Sequence, residues 1–253
     1  MDLGLAGKVA LVTGGSRGLG RAICAGLAAE GACVVVNYRR GQEEAEEIAR
    51  SLKQTHGVST LALQADVSRS HDVAALFDRC YAEFGCLDIV INNAGIWPSG
   101  FVHEIEEEDW DRTLAVNLKG PFLTCREALR RWRDEGRGGR VVNVSSPAAF
   151  LGSTTGHADY AASKAGLCNF TISLAREAAP RGIYVNAVAP GMMYTEMAAD
   201  ALQKNEAHYM QRIPLKRFGD PQEIAHMVTF LASDRASYTT GATVDVSGGM
   251  LMR

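Results

Sequence analysis

The chain has 253 residues, 47% of them hydrophobic, which suits one α/β domain with a large buried core. Its 26 basic and 29 acidic residues leave a net charge of -3, which speaks against a nucleic-acid or anionic-membrane partner. Cys24, Cys33, Cys80, Cys86, Cys125 and Cys168 are scattered without a C-x-x-C pair, so neither a metal cluster nor a disulfide framework is expected, and they read as reduced, mostly buried thiols of a cytoplasmic protein.

Short β-branched runs alternate with helix-length amphipathic segments along the whole chain. The runs are Val9 to Thr13, Ala32 to Asn37, Leu61 to Val67, Leu87 to Asn93, Arg140 to Ser146, Ile183 to Pro190 and Ala242 to Gly248. Seven strands separated by helices imply an α/β fold, a Rossmann-like doubly wound parallel sheet covered on both faces. The strand opening at Val9 leaves no room for a signal sequence, and no apolar run approaches the roughly 20 residues that span a bilayer. The sequence reads as a single domain over residues 1–253 whose loosest stretch, Met192 to Pro214, mixes Met193, Tyr194, Met197, His208, Tyr209 and Met210 with polar residues and reads as a lid over a substrate.

Ligands of such sheets sit beyond the carboxyl ends of the strands, at the switch point near the first strand. Directly after that strand comes TGGSRGLG, in which Gly14, Gly18 and Gly20 let the backbone approach a pyrophosphate facing a helix N-terminus, with Ser16, Arg17 and Leu19 between them. At the end of the second strand, where NAD enzymes carry an acidic residue, the chain has Asn37, Tyr38, Arg39 and Arg40, with no carboxylate before Glu43. Arg17 and Arg39 together suit a ribose 2'-phosphate, so NADP (as NADPH) is the expected cofactor. Asp66 and Val67 fit the adenine amino group and ring face.

The chemistry concentrates in DYAASKAG. Tyr160 and Lys164 lie four apart, on one helix face, so an ammonium can sit beside a phenol. Moving a phenol from about 10 to neutrality requires about 4 kcal/mol, which a charge roughly 4 Å away supplies at an effective dielectric near ~20. The pair therefore reads as a general acid and base.

These pieces, with Ala65 to Val67, NNAG at Asn92 to Gly95, Asn117 in NLKG, Ser146, and PGMMYT at Pro190 to Thr195, resemble the short-chain dehydrogenase/reductase family over essentially the whole chain. The resemblance implies hydride transfer between a nicotinamide and a carbonyl or alcohol, and a homotetramer. It implies that Tyr160 protonates the carbonyl oxygen, and that Lys164 lowers the Tyr160 pKa and holds the nicotinamide ribose. Ser146 would bind the substrate oxygen, and Asn117 would position a water linking Lys164 to solvent. Asn93, Ala94, Gly95, Pro190, Gly191 and Thr195 are implied as cofactor neighbours. The interval from Ser146 to Tyr160 is one residue longer than is commonest in the family, which would enlarge the loop Gly152 to Gly156; Ser145 is the adjacent alternative, and Ser146 is preferred because it directly follows the VVNVS strand.

Trp97, Phe150, Met192 and Met193 are the expected substrate neighbours, with Phe101, Leu151 and Tyr194 beside them, forming an apolar, partly aromatic pocket suited to a fused-ring or acyl substrate. The leading expectation is an NADP-dependent ketoreductase of the 3-oxoacyl-carrier-protein reductase type, acting on a 3-oxoacyl thioester or a polyketide-type ketone in fatty acid or polyketide biosynthesis. Alternatives are a dehydrogenase of sugars or other secondary alcohols, and a nucleotide-sensing protein without turnover. Arg130 and Arg176 lie where 3-oxoacyl reductases meet an acidic acyl carrier protein, although Glu127, Asp134, Glu135 and Glu177 dilute that patch into a solvated helix face.

Overall fold

The computed structural model describes residues 2–153 and 155–252; Thr154 of the Gly152 to Gly156 loop, Met1 and Arg253 lie outside the described residues. Seven parallel strands form one sheet in the order β3-β2-β1-β4-β5-β6-β7. They are β1 (Val9–Val12), β2 (Cys33–Tyr38), β3 (Thr60–Gln64), β4 (Ile89–Asn92), β5 (Gly139–Val144), β6 (Ile183–Pro190) and β7 (Thr243–Val246). The strand order reverses at β1, which pairs with β2 on one side and β4 on the other. A crevice between loops running in opposite directions therefore opens at the carboxyl end of β1.

Every strand expected from the sequence is present, with most of them shorter at one or both ends. Ala65 to Val67, Asn93, Ser145 and Ser146, and Ser247 and Gly248 are outside the ladders, immediately beyond the carboxyl ends of β3, β4, β5 and β7. Their apolar and β-branched surroundings make them look like strand, but here the chain has left the sheet, and those after β3, β4 and β5 line the crevice.

The helices α1 (Gly18–Ala29), α2 (Gln42–His56) and α9 (Pro221–Leu231) cover one face, and α3 (Ser70–Phe84), α5 (Gly120–Asp134) and α7 (Ala158–Ala178) the other. Alternation along β1 feeds both layers: Ala10 and Val12 join the first, Val9 and Leu11 the second. All four are buried, and a side chain such as Leu11 contributes about 2 kcal/mol on leaving water. Trp132 on α5 fills the second layer and donates from Nε1 to the Leu87 carbonyl, satisfying its one polar atom.

Four shorter or looser pieces complete the site. Helix α4 (Glu107–Leu114) runs into a π-helical turn, Ala115–Lys119, that leads directly to α5. Helix α6 (Ala148–Leu151) is a single turn after β5. Helix α8 (Ala199–Arg212) occupies the stretch expected as a lid and breaks helical geometry at Asn205. Its Leu202 and Tyr209, with Ile213 just beyond its end, pack on Phe218 in a satellite cluster separate from the two main layers. Among the described residues no helix is long and apolar enough to cross a membrane.

Candidate active site

One cavity of about 750 Å³ runs along the carboxyl ends of the strands from Arg40 to Met250. Its first wall is the turn from β1 into α1. Gly14 and Gly18 have φ of +61° and +50°, which an L side chain resists. A Cβ on Gly20 would collide with the Gly14 carbonyl oxygen and lie 2.6 Å from Asn93 Nδ2. The N-terminus of α1 has no side-chain cap and no acidic residue in its first turn, so its free N–H groups suit an anion. The residues fit the pyrophosphate of a dinucleotide.

The NNAG turn is strapped to this loop. Asn93 Nδ2 donates to the carbonyls of Thr13 and Gly14 at 2.9 and 3.0 Å, and Thr13 Oγ1 accepts from the N–H groups of Asn93 and Ala94, both at 3.0 Å. Asn37 also acts within the frame. Its Oδ1 accepts from Gly14 N–H, and its Nδ2 donates to the carbonyls of Leu63 and Ala65, tying β1, β2 and β3 together where they face the cavity. Tyr38 is buried in the first core layer.

Arg17 and Arg39 both line the cavity, and each holds a carboxylate: Arg17 pairs with Glu196 at 2.9 Å on the surface, and Arg39 approaches Asp66 at 3.7 Å. Burial raises the Asp66 carboxyl, but hydrogen bonds from Ser68 and the Arg39 charge outweigh it and hold the group below its ordinary value. Arg40 and Arg69 join Arg39 around a shallow recess beside the cavity. The surplus of guanidinium there suits a phosphate.

At the other end, α7 brings Tyr160 and Lys164 to the cavity beside Ser146. Ser146 hydrogen-bonds the Tyr160 hydroxyl and accepts from Ala148 N–H at 3.2 Å. Ser145 points the other way, donating to the Lys164 carbonyl and touching Cys168 Sγ at 3.0 Å. Of the two serines, only Ser146 is placed to share an oxygen with Tyr160. Lys164 Nζ donates to the Val144 carbonyl at 2.7 Å and lies 5.6 Å from the centre of the Tyr160 ring.

The electrostatics differ from the expectation that Lys164 lowers the Tyr160 pKa. Burial pushes Tyr160 up to about 12, opposed only by its bond to Ser146, and pushes Lys164 down to about 8. Lys164 is buried and the half-buried Tyr160 is crowded by the cavity wall, so desolvation of each charged form outweighs their mutual attraction.

Two further expected residues lie outside the cavity lining. Asn117 does not line the cavity. It sits in the π-helical turn, fully buried, with Oδ1 accepting from Ile96 N–H at 2.8 Å and Nδ2 donating to the Ile96 carbonyl and to Ser163 Oγ. Its amide is spent on clasping the β4 loop to α7. Phe150 lies on α6 but outside the cavity lining, where Leu151 of the same turn takes the place expected of it. Leu19, Val67, Gly95, Gly191, Thr195, Trp97, Met192 and Met193 do line the cavity, as do Ser16 and Pro190.

Sequence reasoning missed His157, Thr155 and Met250 as cavity residues. His157 was within reach: it is the residue that opens α7, three positions before Tyr160. Met250 and Thr155 had no periodic signal. Their place depends on how the lid folds back.

The comparisons with known proteins agree with this geometry. The sequence model of the family described as Enoyl-(Acyl carrier protein) reductase matches residues 14–251. The chain is 42% identical over 245 residues, 97% of this chain and 98% of the relative, to the 3-oxoacyl-(acyl-carrier-protein) reductase FabG of Staphylococcus aureus. It is 41% identical over 250 residues to the protein of the same name from Aquifex aeolicus, covering 99% of this chain and all of that one. Among solved structures, a dehydrogenase/reductase from Sinorhizobium meliloti 1021 superposes with a TM-score of 0.90 at 38% identity over 98% of this chain and 97% of that chain. A second protein of that organism reaches 0.93 at 36% identity over 99% of both. A glycine-lined crevice at the β1 switch point, a Ser–Tyr–Lys group at its far end and relatives matching over nearly their whole length lead to one conclusion: this chain is an oxidoreductase and belongs to the short-chain dehydrogenase/reductase family.

Proposed function

We propose that the protein is an NADPH-dependent ketoreductase that reduces a 3-oxoacyl thioester or polyketide-type ketone to the secondary alcohol. The observation that carries this reading is the placement of Tyr160: its phenol stands at the cavity wall against Ser146, one helical turn from the buried Lys164 ammonium. A protonated phenol is a donor, and reduction of a carbonyl needs one. NADPH, when bound, supplies the hydride.

The chain's own residues would do the rest. Ser146 and Tyr160 together fix the carbonyl oxygen, and Tyr160 passes its proton from Oη to that oxygen as negative charge develops there. Lys164, held by the Val144 carbonyl, presents a buried ammonium that stabilises the tyrosinate left behind. The Asn117 side chain is committed to Ile96 and Ser163, so any water-positioning role would fall to its backbone in the π-helical turn.

Gly14, Gly18, Gly20 and the α1 N-terminus would hold the pyrophosphate, Asp66 and Val67 the adenine, and Arg17 and Arg39 the 2'-phosphate after exchanging their present carboxylate partners. Identity of about 42% to relatives named 3-oxoacyl-(acyl-carrier-protein) reductase supports an acyl thioester substrate. An acyl carrier protein could approach Arg130 and Arg176. Most of the neighbouring arginines are already matched: Arg131 by Asp78 and Glu127, Arg137 by Asp88 and Glu135, Arg140 by Asp234. A homotetramer is the expected assembly.

The test is consumption of NADPH and NADH with a panel of 3-oxoacyl thioesters, aromatic polyketide ketones and simple diketones, set against oxidation of sugars and secondary alcohols. Turnover of ketones that requires NADPH supports the reading. Turnover confined to alcohol oxidation overturns it.

A further inference from the structure

His157 is not used in the chemistry above, yet it is buried to 5% exposure in the cavity wall three residues before Tyr160. Its Nδ1 lies 2.6 Å from the Pro98 carbonyl. A carbonyl only accepts, so Nδ1 carries the proton and, in the neutral ring, Nε2 is left as a bare acceptor. No described residue bonds Nε2. The ring cannot easily turn to hide it: Trp97 lies against it at 4.6 Å between centroids, and the Gly100 N–H bonds the Gly156 carbonyl at 2.8 Å, joining the two loops on either side. Trp97 is in turn 6.0 Å from the Tyr160 ring. Nε2 is not sealed in the core but stands accessible in the cavity wall, beside the proton donor.

Resting on the ketoreductase reading, we infer that His157 is a specificity-determining residue: its Nε2 accepts a hydrogen bond from an O–H or N–H group that the ketone substrate carries near its reacting carbonyl. Two substrate chemistries offer that donor. In an acyl thioester it is the amide N–H of the thiol arm. In a fused-ring ketone it is a ring hydroxyl, with the ring body against Trp97. A ketone without a donor leaves Nε2 unmatched and binds less well.

The experiment compares kcat/KM with NADPH for two matched pairs: the N-acetylcysteamine thioester of 3-oxobutanoate against its N-methyl-amide analogue, and a hydroxylated tetralone against its methyl ether. Wild type should prefer the donor-bearing member of one pair by about 3- to 10-fold, mainly through KM, and the pair that responds identifies the source of the donor. In His157→Asn the short amide still reaches Pro98 but no acceptor extends into the cavity; in His157→Phe the contact with Trp97 remains without either nitrogen. Both should lose the preference, turning over the donor-bearing and methylated members of the responding pair with kcat/KM values within about twofold of each other. Equal treatment of both pairs by wild type, or a preference that survives in His157→Asn, overturns the inference while leaving ketone reduction intact. Should none of the ketones turn over, the ketoreductase reading is what fails. The ¹⁵N spectrum of His157 then decides separately: the Nδ1–H tautomer is expected, and the Nε2–H tautomer overturns the acceptor role.

Discussion

The two ends of the cavity are built by different means. At the cofactor end the shape is made by backbone: two glycines at positive φ, a third with no room for a Cβ, an uncapped helix N-terminus, and asparagines that bond carbonyls and N–H groups of neighbouring loops. At the reaction end the shape is made by side chains, with Tyr160, His157 and Trp97 on one side and a methionine-rich lid on the other. The lid's helix α8 breaks at Asn205 and packs on a small satellite cluster outside the two main layers. Backbone cradles tolerate almost no substitution, whereas a wall of side chains can be exchanged to suit another substrate. A fold that hosts one cofactor and many carbonyl compounds needs this division.

The largest effect should come from the backbone end. Gly20→Ala forces a methyl onto the Gly14 carbonyl, and the loop must open. Destabilisation of about 1–3 kcal/mol and loss of tight NADPH binding are expected, read by thermal melts and a fluorescence titration. Next comes the charge of Lys164. Its folded value of about 8 lies below the 10.5 of an unburied lysine, so the ammonium is present below about 8 and is lost above it. The kcat/KM for ketone reduction should be level near pH 7 and fall about tenfold per unit above 8, while Tyr160 stays protonated throughout. The same shift makes the unfolded chain bind more protons between pH 8 and 10.5, so this lysine's burden on stability, about 3 kcal/mol at neutral pH, eases as pH rises through that window. Lys164→Met should therefore be inactive yet at least as stable as wild type in urea titrations.

A smaller effect is expected at the cofactor's phosphate. Arg17→Ala with Arg39→Ala should raise the KM for NADPH about tenfold or more and leave that for NADH within about twofold, since only the phosphate requires the guanidinium groups. The smallest concerns the lid. Tyr209 meets Thr155 Oγ1 at 3.5 Å, a long contact across the seam between α8 and the loop before α7. Tyr209→Phe should alter KM for the ketone by no more than about threefold, with cofactor affinity unchanged. A large loss of cofactor affinity there would blur the division between the two ends.

The same division explains what could be read in the sequence. Gly14, Gly18 and Gly20 are legible because backbone geometry leaves only one residue type available, and the parallel sheet is legible because its strands are buried on both faces. Tyr160 and Lys164 are legible because a helix fixes their spacing. The sign of their pKa shifts was not, because it depends on how much of the site is buried. Asn117 was assigned by its neighbours in NLKG, and its side chain proved to be a clasp because a π-helical turn, which leaves no mark in composition, rotates it towards Ile96. Phe150 and Leu151 are adjacent and apolar, and only the single turn of α6 decides which faces the cavity.

The measurement that tests the central claim most directly is a side-by-side comparison of wild type and Tyr160→Phe: NADPH affinity by titration, and the rate of ketone reduction in a single turnover. If the cofactor end is built by backbone and the proton comes from Tyr160, the variant should bind NADPH within about threefold of wild type and lose about 10²–10⁴-fold in rate. A rate near that of wild type would show that another group supplies the proton and would contradict the account.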